Sequence, residues 1–359
     1  MGHTCYPVRI MSEWMIYGAT GYSGRLIAEH AKRSGASPVL AGRNEAKVRA
    51  LANELGLPWK CFSLEDGKSA AAEIRGLKLV LHCAGPFSQT SKVMVDACLA
   101  AGAHYLDISG EIPVFQAVYE RHAEALARGV ALVPGVGCDV VPSNYLSAAL
   151  LARLPDAVSL DLTCLARTRT SRGTLNTAVE QLPSGGKVVR DGKLIAVPHA
   201  KFVREIDERG RRFKGMSIPL ADLVAAHRLT RIPNVTVYLA FPGAAILLAK
   251  AAAPLSFLAA LGIVQDVLKY FVSLKRDGTS AERERGGLTW FGEAKNAAGR
   301  TVRGQARIPD PYDFTALAAF AAVELGLSGR IKCGAGAPAE ALGDGFFAAL
   351  PGAVLRLAP

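Results

Sequence analysis

The sequence lacks features that mark several common protein classes. Aromatic residues make up only 7% of its 359 residues, and its seven cysteines include no Cys-x-x-Cys pair. Scattered cysteines in odd number exclude a disulfide framework, so a cytoplasmic location is expected. They also exclude a Cys-rich zinc site, and no metal site is predicted. No basic stretch followed by an apolar stretch opens the chain, so no secretory signal is expected. No tyrosine is followed by lysine four residues later, which disfavours the Tyr-x-x-x-Lys pair of short-chain dehydrogenases.

Positive charge is abundant overall but is concentrated in one part of the chain. The formal net charge is +11, yet residues 1–150 carry 14 Lys and Arg against 13 Asp and Glu. Residues 167–214 carry 12 against 5. Dense basic runs with interleaved aromatics are absent from the sequence, so nucleic acid is not expected as a partner. The local excess instead predicts an anionic ligand or an anionic surface as the partner of this middle region.

A long stretch of the second half has almost no charge. Residues 232–265 contain a single charged residue, Lys250, and three prolines interrupt them at 233, 242 and 254. The uninterrupted pieces are shorter than the roughly 20 residues that a bilayer-spanning helix needs. We expect buried helices or an oligomer interface, such as that of a homodimer. The alternative is a peripheral membrane contact through residues 232–274.

A glycine-rich turn follows the first apolar strand and precedes a helix. The first glycine of Gly18-Ala19-Thr20-Gly21-Tyr22-Ser23-Gly24 permits a tight bend, the second lets a pyrophosphate approach the backbone, and the third lets the helix pack closely. Amide groups at the helix start would hold the phosphates. The predicted cofactor-binding residues of this turn are Gly18, Thr20, Gly21, Tyr22, Ser23 and Gly24.

The residues after the second strand indicate which dinucleotide binds. An acidic residue there would bind the ribose hydroxyl, but the sequence has Ala41-Gly42-Arg43-Asn44 instead. Arg43 can pair with a 2′-phosphate and stack on adenine, so Arg43 and Asn44 predict NADP(H). The alternative is that Asn44 caps the following helix and Arg43 is a solvated loop residue.

The hydrophobic pattern changes period once along the chain. Six short apolar strands alternate with helices up to residue 134, including one helix predicted over residues 113–128, and hairpins follow from residue 158. The predicted fold class is α/β, with a Rossmann-type doubly wound parallel sheet and a second, α+β domain inserted before C-terminal helices. The expected segments are a loose extension (1–10), the NADP-binding domain (11–145), the second domain (146–308) and a C-terminal helical segment returning to the first domain (309–359).

Ligands of such sheets lie beyond the carboxyl ends of the strands. Loops 84–87, 109–111 and 135–142 are therefore expected around the nicotinamide. Asp139 and Glu111 are the candidate catalytic residues; their alternatives are a turn-stabilising Asp and a favourable charge at a helix N-terminus. The further cofactor-binding candidates of these loops are Cys83, Ala84, Gly85, Pro86 and Ser109.

Two residues are candidates for substrate binding. Cys138 would line the pocket, although a buried cysteine is more often a small hydrophobic residue. Arg172, near Arg167 and Arg169, would hold a carboxylate or phosphate, and its alternative is a solvated basic edge.

Several motifs together resemble one known family, the saccharopine dehydrogenase-like oxidoreductases, and especially the short bacterial group related to trans-acting enoyl reductases. The resemblance covers roughly residues 14–350 and is most specific in two loops. These are GAHYLDISGE (102–111) and PGVGCDVVPSN (134–144). The other stretches that carry it are 18–24, 41–44, 83–87, 171–174, 218–239, 290–300 and 311–324.

The resemblance implies an NADP-binding Rossmann domain, an α+β substrate domain and hydride transfer to a C=N or C=C bond. Two residues depart from the family pattern: Cys138 stands where Phe is usual, and Asn144 stands where Asp is usual. The expected function is an NADP(H)-dependent oxidoreductase that reduces a C=C bond of an acyl or lipid-type, anionic substrate. The alternatives are an amino-acid-type imine reductase and a lipid-surface protein that binds the cofactor with little catalysis.

Overall fold

A computed structural model describes residues 13–166, 179, 185–208, 210–253, 261–274 and 287–358. The sequence also predicts a helix over residues 172–182, which lies outside these residues except for Val179. The predicted extension 1–10 lies outside them as well. Within them, the chain forms two sheets that are flanked by helices and joined at their edges by the C-terminal segment.

The first sheet is the predicted parallel one. Its strands run in the order β15-β6-β5-β4-β1-β2-β3, with every pairing parallel. The order 3-2-1-4-5-6 is that of a doubly wound dinucleotide fold, so the predicted fold class is confirmed. The first six strands are β1 (Trp14–Tyr17), β2 (Val39–Gly42), β3 (Trp59–Cys61), β4 (Leu79–His82), β5 (His104–Asp107) and β6 (Ala131–Val133).

Helices connect these strands and cover both faces of the sheet. They are α1 (Tyr22–Arg33), α2 (Glu45–Leu55), α3 (Gly67–Ile74), α4 (Phe87–Ala101), α5 (Ile112–Glu120) and α6 (His122–Ala127). Local signals fix several of their starts. Asn44 Oδ1 accepts a hydrogen bond from the Lys47 amide at 3.0 Å, and the Asp66 carboxylate accepts two from the first turn of α3.

The single helix predicted over 113–128 is wrong, because the chain breaks into α5 and α6 at Arg121. The backbone of Arg121 has a ψ near 9°, and its amide donates to Val118 O. The Arg121 guanidinium then pairs with Asp96 on α4 and Glu124 on α6. The break therefore places a cation between two carboxylates.

The second sheet is mixed and mostly antiparallel, in the order β10-β11-β12-β7-β13-β14-β16, with hairpin β8–β9 attached to β12. The chain enters it through α7 (Val141–Arg153). Both hairpins predicted from the sequence are confirmed, namely β8–β9 around Asp191-Gly192 and β13–β14. The elements are β7 (Ala157–Ala166), β8 (Gly186–Arg190), β9 (Lys193–Val197), β10 (Val203–Glu208), β11 (Arg211–Ser217), α8 (Asp222–Thr230), β12 (Asn234–Phe241), α9 (Gly243–Ala252), α10 (Gly262–Ser273), β13 (Leu288–Asn296) and β14 (Thr301–Ile308).

The low-charge stretch 232–265 is not a pair of buried helices. Its first part is β12, a strand with buried residues between β7 and β11. In the next part, Leu247 and Leu248 on α9 are each 70% exposed, which contradicts the prediction of burial. None of the helices in the described residues is long and apolar enough to cross a membrane.

The C-terminal segment belongs to both sheets. Helix α11 (Pro311–Leu327) packs on α1, and β15 (Gly334–Ala335) pairs with β6 at the edge of the first sheet. Two short helices follow, α12 (Pro338–Ala341) and α13 (Phe346–Ala349). The last strand, β16 (Val354–Leu357), then pairs with β14. Helix α11 and β15 thus return to the first sheet, as the sequence predicted for this segment, whereas the last strand joins the second sheet, which the sequence did not predict.

Candidate active site

The glycine turn has the geometry of a dinucleotide cradle. Gly18 has φ +86°, and a Cβ atom there would lie 2.6 Å from the amide nitrogen of Ala84. A Cβ at Gly24 would lie 2.3 Å from the carbonyl oxygen of Gly18. The first helical bond of α1 runs from the Arg25 amide to Gly21 O, so the amides of the first turn precede the helical ladder and can face an anion. Exposed Thr20 and Gly21 leave this cradle open.

Arg43 is exposed at the carboxyl end of β2, the strand next to the glycine turn. Its side chain has no hydrogen-bond or ion-pair partner among the described residues, so it is available to a 2′-phosphate. Burial raises the pKa of neighbouring Tyr17 to about 12, while the charge of Arg43 opposes that rise. Asn44 uses its side-chain oxygen to cap α2, which was the alternative considered for it. Its cofactor contact stays a prediction.

The loop after β4 is held by side chains of β4 and of the helix that follows, α4. Thr90 Oγ1 donates to Ala84 O at 2.7 Å and lies 2.9 Å from the Nε2 of buried His82. Burial lowers the pKa of His82 to about 3, so its imidazole is neutral. Burial also raises the pKa of the Cys83 thiol, which therefore stays protonated. The backbone of Cys83 and Ala84 lies against Gly18 of the glycine turn, and Gly85 and Pro86, joined by a cis peptide bond, follow.

Glu111 clamps the start of α4. Its Oε1 accepts from the Phe87 amide at 3.0 Å and its Oε2 from the Ser88 amide at 2.9 Å, and the residue is 5% exposed. Both oxygens are therefore committed to backbone donors at a helix N-terminus, where negative charge is favourable. The charge interacts with α4, whereas the sequence alternative placed it on the helix that follows Glu111. Its catalytic role stays a prediction; its contacts are those of a positioning residue.

Asp107, which sequence reasoning did not select, ties two of the loops together. The carboxylate is fully buried and accepts hydrogen bonds of 2.7–2.8 Å from Tyr105 OH, the Ser109 amide, Ser109 Oγ and the Gly135 amide. Burial raises its pKa, and these hydrogen bonds oppose the rise. Ser109 thus orients the backbone, which leaves its cofactor contact a prediction. A signal was present, because Asp107 is the last residue of a strand and the Ser-Gly-Glu sequence begins two residues later.

Asp139 lies against the loop that Asp107 holds. A Cβ atom at Gly110 would be 3.4 Å from Asp139 Oδ2, so the two loops are in contact after β5 and β6. Solvent reaches the Asp139 carboxyl, yet the surrounding protein displaces enough water to raise its pKa. The Cys138 thiol lies 3.6 Å from Asp139 Oδ1, and the Cys138 amide donates to Thr315 Oγ1 on α11. A carboxyl group of this kind can hold a proton and release it to a neighbouring group.

Asp222 is a second carboxyl group that sequence reasoning missed. It begins α8, is 1% exposed, and accepts a hydrogen bond from Ser143 Oγ in the first turn of α7. Burial raises its pKa to about 7, with the negative charge of Asp139 adding to the rise. Ser143 precedes Asp222 by 79 positions, so nothing local in the sequence could have paired them.

The structure brings most of the predicted site residues to one edge of the first sheet. Parallel strands end at the same edge of a sheet, and each of these residues follows such a strand. The glycine turn follows β1, Arg43 follows β2, loop 83–87 follows β4, Ser109 and Glu111 follow β5, and Asp139 follows β6. Arg43 lies on the β2 side of the switch between β1 and β4, and Asp139 lies on the opposite side. Arg172 lies outside the described residues. Among those described, no group of three His, Cys, Asp or Glu side chains could hold a metal ion.

The comparisons with known proteins agree with this geometry. Residues 14–133 match the model of the saccharopine dehydrogenase NADP-binding domain. A candidate trans-acting enoyl reductase of Mycobacterium tuberculosis is 32% identical over 183 residues, which cover 47% of this chain and 43% of that protein. The trans-acting enoyl reductase of Mycobacterium leprae is 32% identical over 138 residues, or 36% and 33% of the two chains. The matched part of this chain thus spans less than half the length of these relatives.

One solved structure has the same fold over almost the whole chain. The saccharopine dehydrogenase (L-Glu forming) of Saccharomyces cerevisiae superposes with a TM-score of 0.68 at 13% identity, covering 96% of this chain and 99% of that one. The open amide cradle, the two glycine contacts and an Arg43 without a partner among the described residues fit a phosphorylated dinucleotide. The family match confirms the predicted cofactor NADP(H). Residues 14–133 of this chain therefore match the saccharopine dehydrogenase NADP-binding domain, within a chain whose fold is similar to that of the yeast saccharopine dehydrogenase.

Proposed function

We propose that this protein is an NADPH-dependent reductase that transfers hydride to a C=C bond of an acyl substrate. The observation that carries the proposal is Asp139, a solvent-accessible carboxyl of raised pKa on the nicotinamide side of an NADP-binding sheet. A reductase needs a proton donor at that place, because hydride addition leaves the substrate short of one proton. The names of the mycobacterial relatives support C=C as the bond that is reduced.

Different residues of the site would bind the cofactor, position the loops around it and donate the proton. When bound, NADPH supplies the hydride. The first turn of α1 binds the pyrophosphate, Arg43 pairs with the 2′-phosphate, and Glu111 and Asp107 hold the loops that border the nicotinamide. Asp139 donates the proton, and Cys138 lines the substrate pocket beside it. Arg172 and the basic middle region favour an anionic acyl substrate.

An NADPH-oxidation screen tests the proposal. The acceptors are enoyl thioesters, enones and pairs of an α-keto acid with an amine, because the imine reductase is the competing function. We expect oxidation with enoyl thioesters, a large loss of turnover in Asp139→Asn with unchanged NADPH affinity, and no effect of Asp344→Asn, a matched change at an exposed aspartate. If only the pairs of α-keto acid and amine were reduced, the bond that the protein reduces would be C=N and the proposed C=C reduction would be wrong. Full activity of Asp139→Asn would remove Asp139 from the mechanism.

A peripheral contact with lipid is the second candidate, and the exposed side chains after β12 favour it. Leu247 and Leu248 are each 70% exposed on α9. Val267 and Tyr270 on α10, and Leu274 directly after it, are 51–63% exposed at helical spacing. Lys250 lies on α9 and borders a recess of about 380 Å³ together with Lys201. Apolar side chains beside lysines fit an anionic membrane surface.

Vesicle sedimentation tests the contact with lipid. The protein should pellet with phosphatidylglycerol-containing vesicles and less with pure phosphatidylcholine. The double variant Leu247→Glu/Leu248→Glu should stay in solution, whereas Leu126→Glu, at another exposed leucine on α6, should behave like the wild type. If neither vesicle type carries the wild type down, the exposed leucines serve another contact, such as the predicted homodimer.

A further inference from the structure

Helix α11 runs along the first sheet, and its N-terminal end lies at the edge that carries the site. At its other end, a Cβ atom at Gly326 would lie 2.5 Å from Cδ1 of Leu79, the first residue of β4. Near its start, Thr315 Oγ1 accepts a hydrogen bond of 3.1 Å from the amide of Cys138, in the loop after β6. Between these ends the helix contacts β4 and β5. Its first turn therefore lies at the carboxyl edge of the sheet, where a dinucleotide binds.

The first turn of α11 also reaches the glycine turn. The ring of Tyr312 meets the ring of Tyr22 edge to face, with the ring centroids 5.0 Å apart and the planes at 90°. Tyr22 is the first residue of α1, and its amide is one of those that precede the helical ladder and can bind the pyrophosphate. Both rings are partly exposed, as are Thr20 and Gly21 beside them. The two tyrosines therefore border the open side of the cradle.

The start of α11 can offer a ligand an aromatic ring but no phosphate site. The amides of Tyr312 and Asp313 donate to Asp310 Oδ1 at 2.9 and 3.2 Å, and the carboxylates of both aspartates lie at this helix end. Their negative charge opposes a phosphate. In a doubly wound sheet the dinucleotide spans the switch between β1 and β4, and Arg43 lies on the β2 side with the 2′-phosphate. The part that fits beside Tyr312, towards the loop after β6, is therefore the nicotinamide with its ribose.

We propose that Tyr312 is a cofactor-binding residue contributed by the C-terminal segment, and that its ring, supported by Tyr22, packs against the nicotinamide half of NADPH. Packing of two flat apolar surfaces removes water from both, and the contact with Tyr22 restricts the ring before the cofactor arrives. The inference concerns the cofactor alone, so it holds whichever double bond the protein reduces. The NADP-binding domain match ends at residue 133, and Tyr312 lies far beyond it.

A fragment of the cofactor tests the proposal, because it separates the two halves of NADPH. Adenosine 2′,5′-bisphosphate contains the adenosine, the 2′-phosphate and one phosphate for the glycine turn, but it lacks the nicotinamide half. Tyr312→Ala should weaken NADPH binding about threefold to tenfold and leave binding of the bisphosphate unchanged. Tyr312→Phe keeps the ring and should bind both ligands like the wild type. Isothermal titration calorimetry measures both affinities without any substrate.

The matched control is Tyr270→Ala, at a tyrosine on α10 that is 62% exposed, and it should bind both ligands normally. Equal weakening of both ligands in Tyr312→Ala would mean that the change only disturbs the glycine turn, and it would overturn the proposal. Unchanged NADPH binding, or an equal loss in Tyr312→Phe, would overturn it too. Should Tyr312→Ala not fold, Tyr312→Leu keeps apolar volume without a flat ring and must show the same selective loss. Failure of every acceptor would disprove the reductase function without affecting these binding measurements.

Discussion

At the scale of single residues, cofactor preference depends on Arg43. The side chain is exposed, has no partner in the described part of the chain, and follows the strand beside the glycine turn. A charge-assisted bond to a phosphate contributes about 1.5–3 kcal/mol, which corresponds to roughly 10–100-fold in affinity. Arg43→Asp should weaken NADPH binding by that factor and leave NADH binding unchanged or improved.

Fluorescence titration with both cofactors measures this preference. Arg49→Asp makes the same charge change on an exposed face of α2, six residues after Arg43. It controls for the effect of the protein's overall charge on cofactor binding. Equal losses in the two variants would mean that Arg43 attracts anions only through its net charge. An unchanged NADPH affinity in Arg43→Asp would disprove the pairing with the 2′-phosphate.

The variant Glu111→Gln removes the charge of Glu111 while it keeps the shape of the side chain. In Glu111→Gln one oxygen becomes an NH₂ group, which then faces a backbone N–H of α4 with no acceptor between them. Leaving a buried donor unsatisfied costs about 1–3 kcal/mol, so the free energy of unfolding should fall by that amount. Denaturant unfolding measures it, with Glu120→Gln at an exposed site on α5 as the control. A loss of turnover without any loss of stability would instead support the catalytic role.

At the scale of elements, the packing of α1 against the glycine turn allows no added atom. Gly24→Ala places a Cβ 2.3 Å from Gly18 O, so α1 must move outward, at a cost of about 1–3 kcal/mol. The movement also displaces the amides that face the pyrophosphate, and NADPH affinity should fall with stability. Gly67→Ala is the matched control, because that glycine also starts a helix of the first sheet and its Cβ would meet only Val93 at 3.9 Å. Normal cofactor binding by Gly24→Ala would show that the cradle tolerates displacement.

The elements that the sequence predicted are those with local signals. The strand–turn–helix alternation of the first sheet follows from apolar runs, caps and glycines within a few residues of one another, such as Asn44 before α2. Edge strands β15 and β16 were not predicted, because two to four residues become a strand only when distant β6 or β14 pairs with them. Hydropathy alone also could not distinguish strand β12 from the exposed helix α9 that follows it.

The candidate site divides in the same way. Gly18, Gly24, Arg43 and Asp139 could be predicted because a motif or a strand end marks them in the sequence, and the roles of Arg43 and Asp139 stay predictions. The clamp of Glu111 on α4 joins residues 23 and 24 positions apart, and the bond of Ser143 to Asp222 joins two domains. Such contacts depend on how helices are packed, and packing leaves no periodic pattern in one sequence.

At the scale of the whole molecule, Arg228 links the two sheets. It lies on α8, which packs against β12 of the second sheet, and its guanidinium stacks 4.3 Å from the centre of the Tyr119 ring on α5. It also donates to Ala335 O of β15 at 2.7 Å and pairs with Glu340 of α12 at 3.2 Å. One cation thus touches a helix of the first sheet, its edge strand and the C-terminal segment.

Replacing Arg228 should weaken the coupling between the two sheets. Arg228→Met keeps apolar volume over Tyr119 but removes the bond to Ala335 O and leaves Glu340 without its cation. Because both charged side chains are about a quarter exposed, solvent screens part of the loss, and we expect about 1–3 kcal/mol. Each sheet packs against its own helices, and Arg228 joins the two units. Without it they should unfold less cooperatively, so calorimetry should show a broadened or split unfolding transition.

A double-mutant cycle separates the ion pair from the packing. If the charge of Glu340 accounts for most of the loss, Arg228→Met/Glu340→Gln should be less destabilised than the sum of the two single variants. Glu340 also accepts from the Ala337 amide at 2.8 Å, so Glu340→Gln alone carries a cost that the cycle subtracts. Arg153→Met, at an exposed arginine in the last turn of α7, should leave a single sharp transition. A sharp transition in Arg228→Met as well would place the coupling elsewhere, in the apolar contact of Phe115 and Val140 with Ala225.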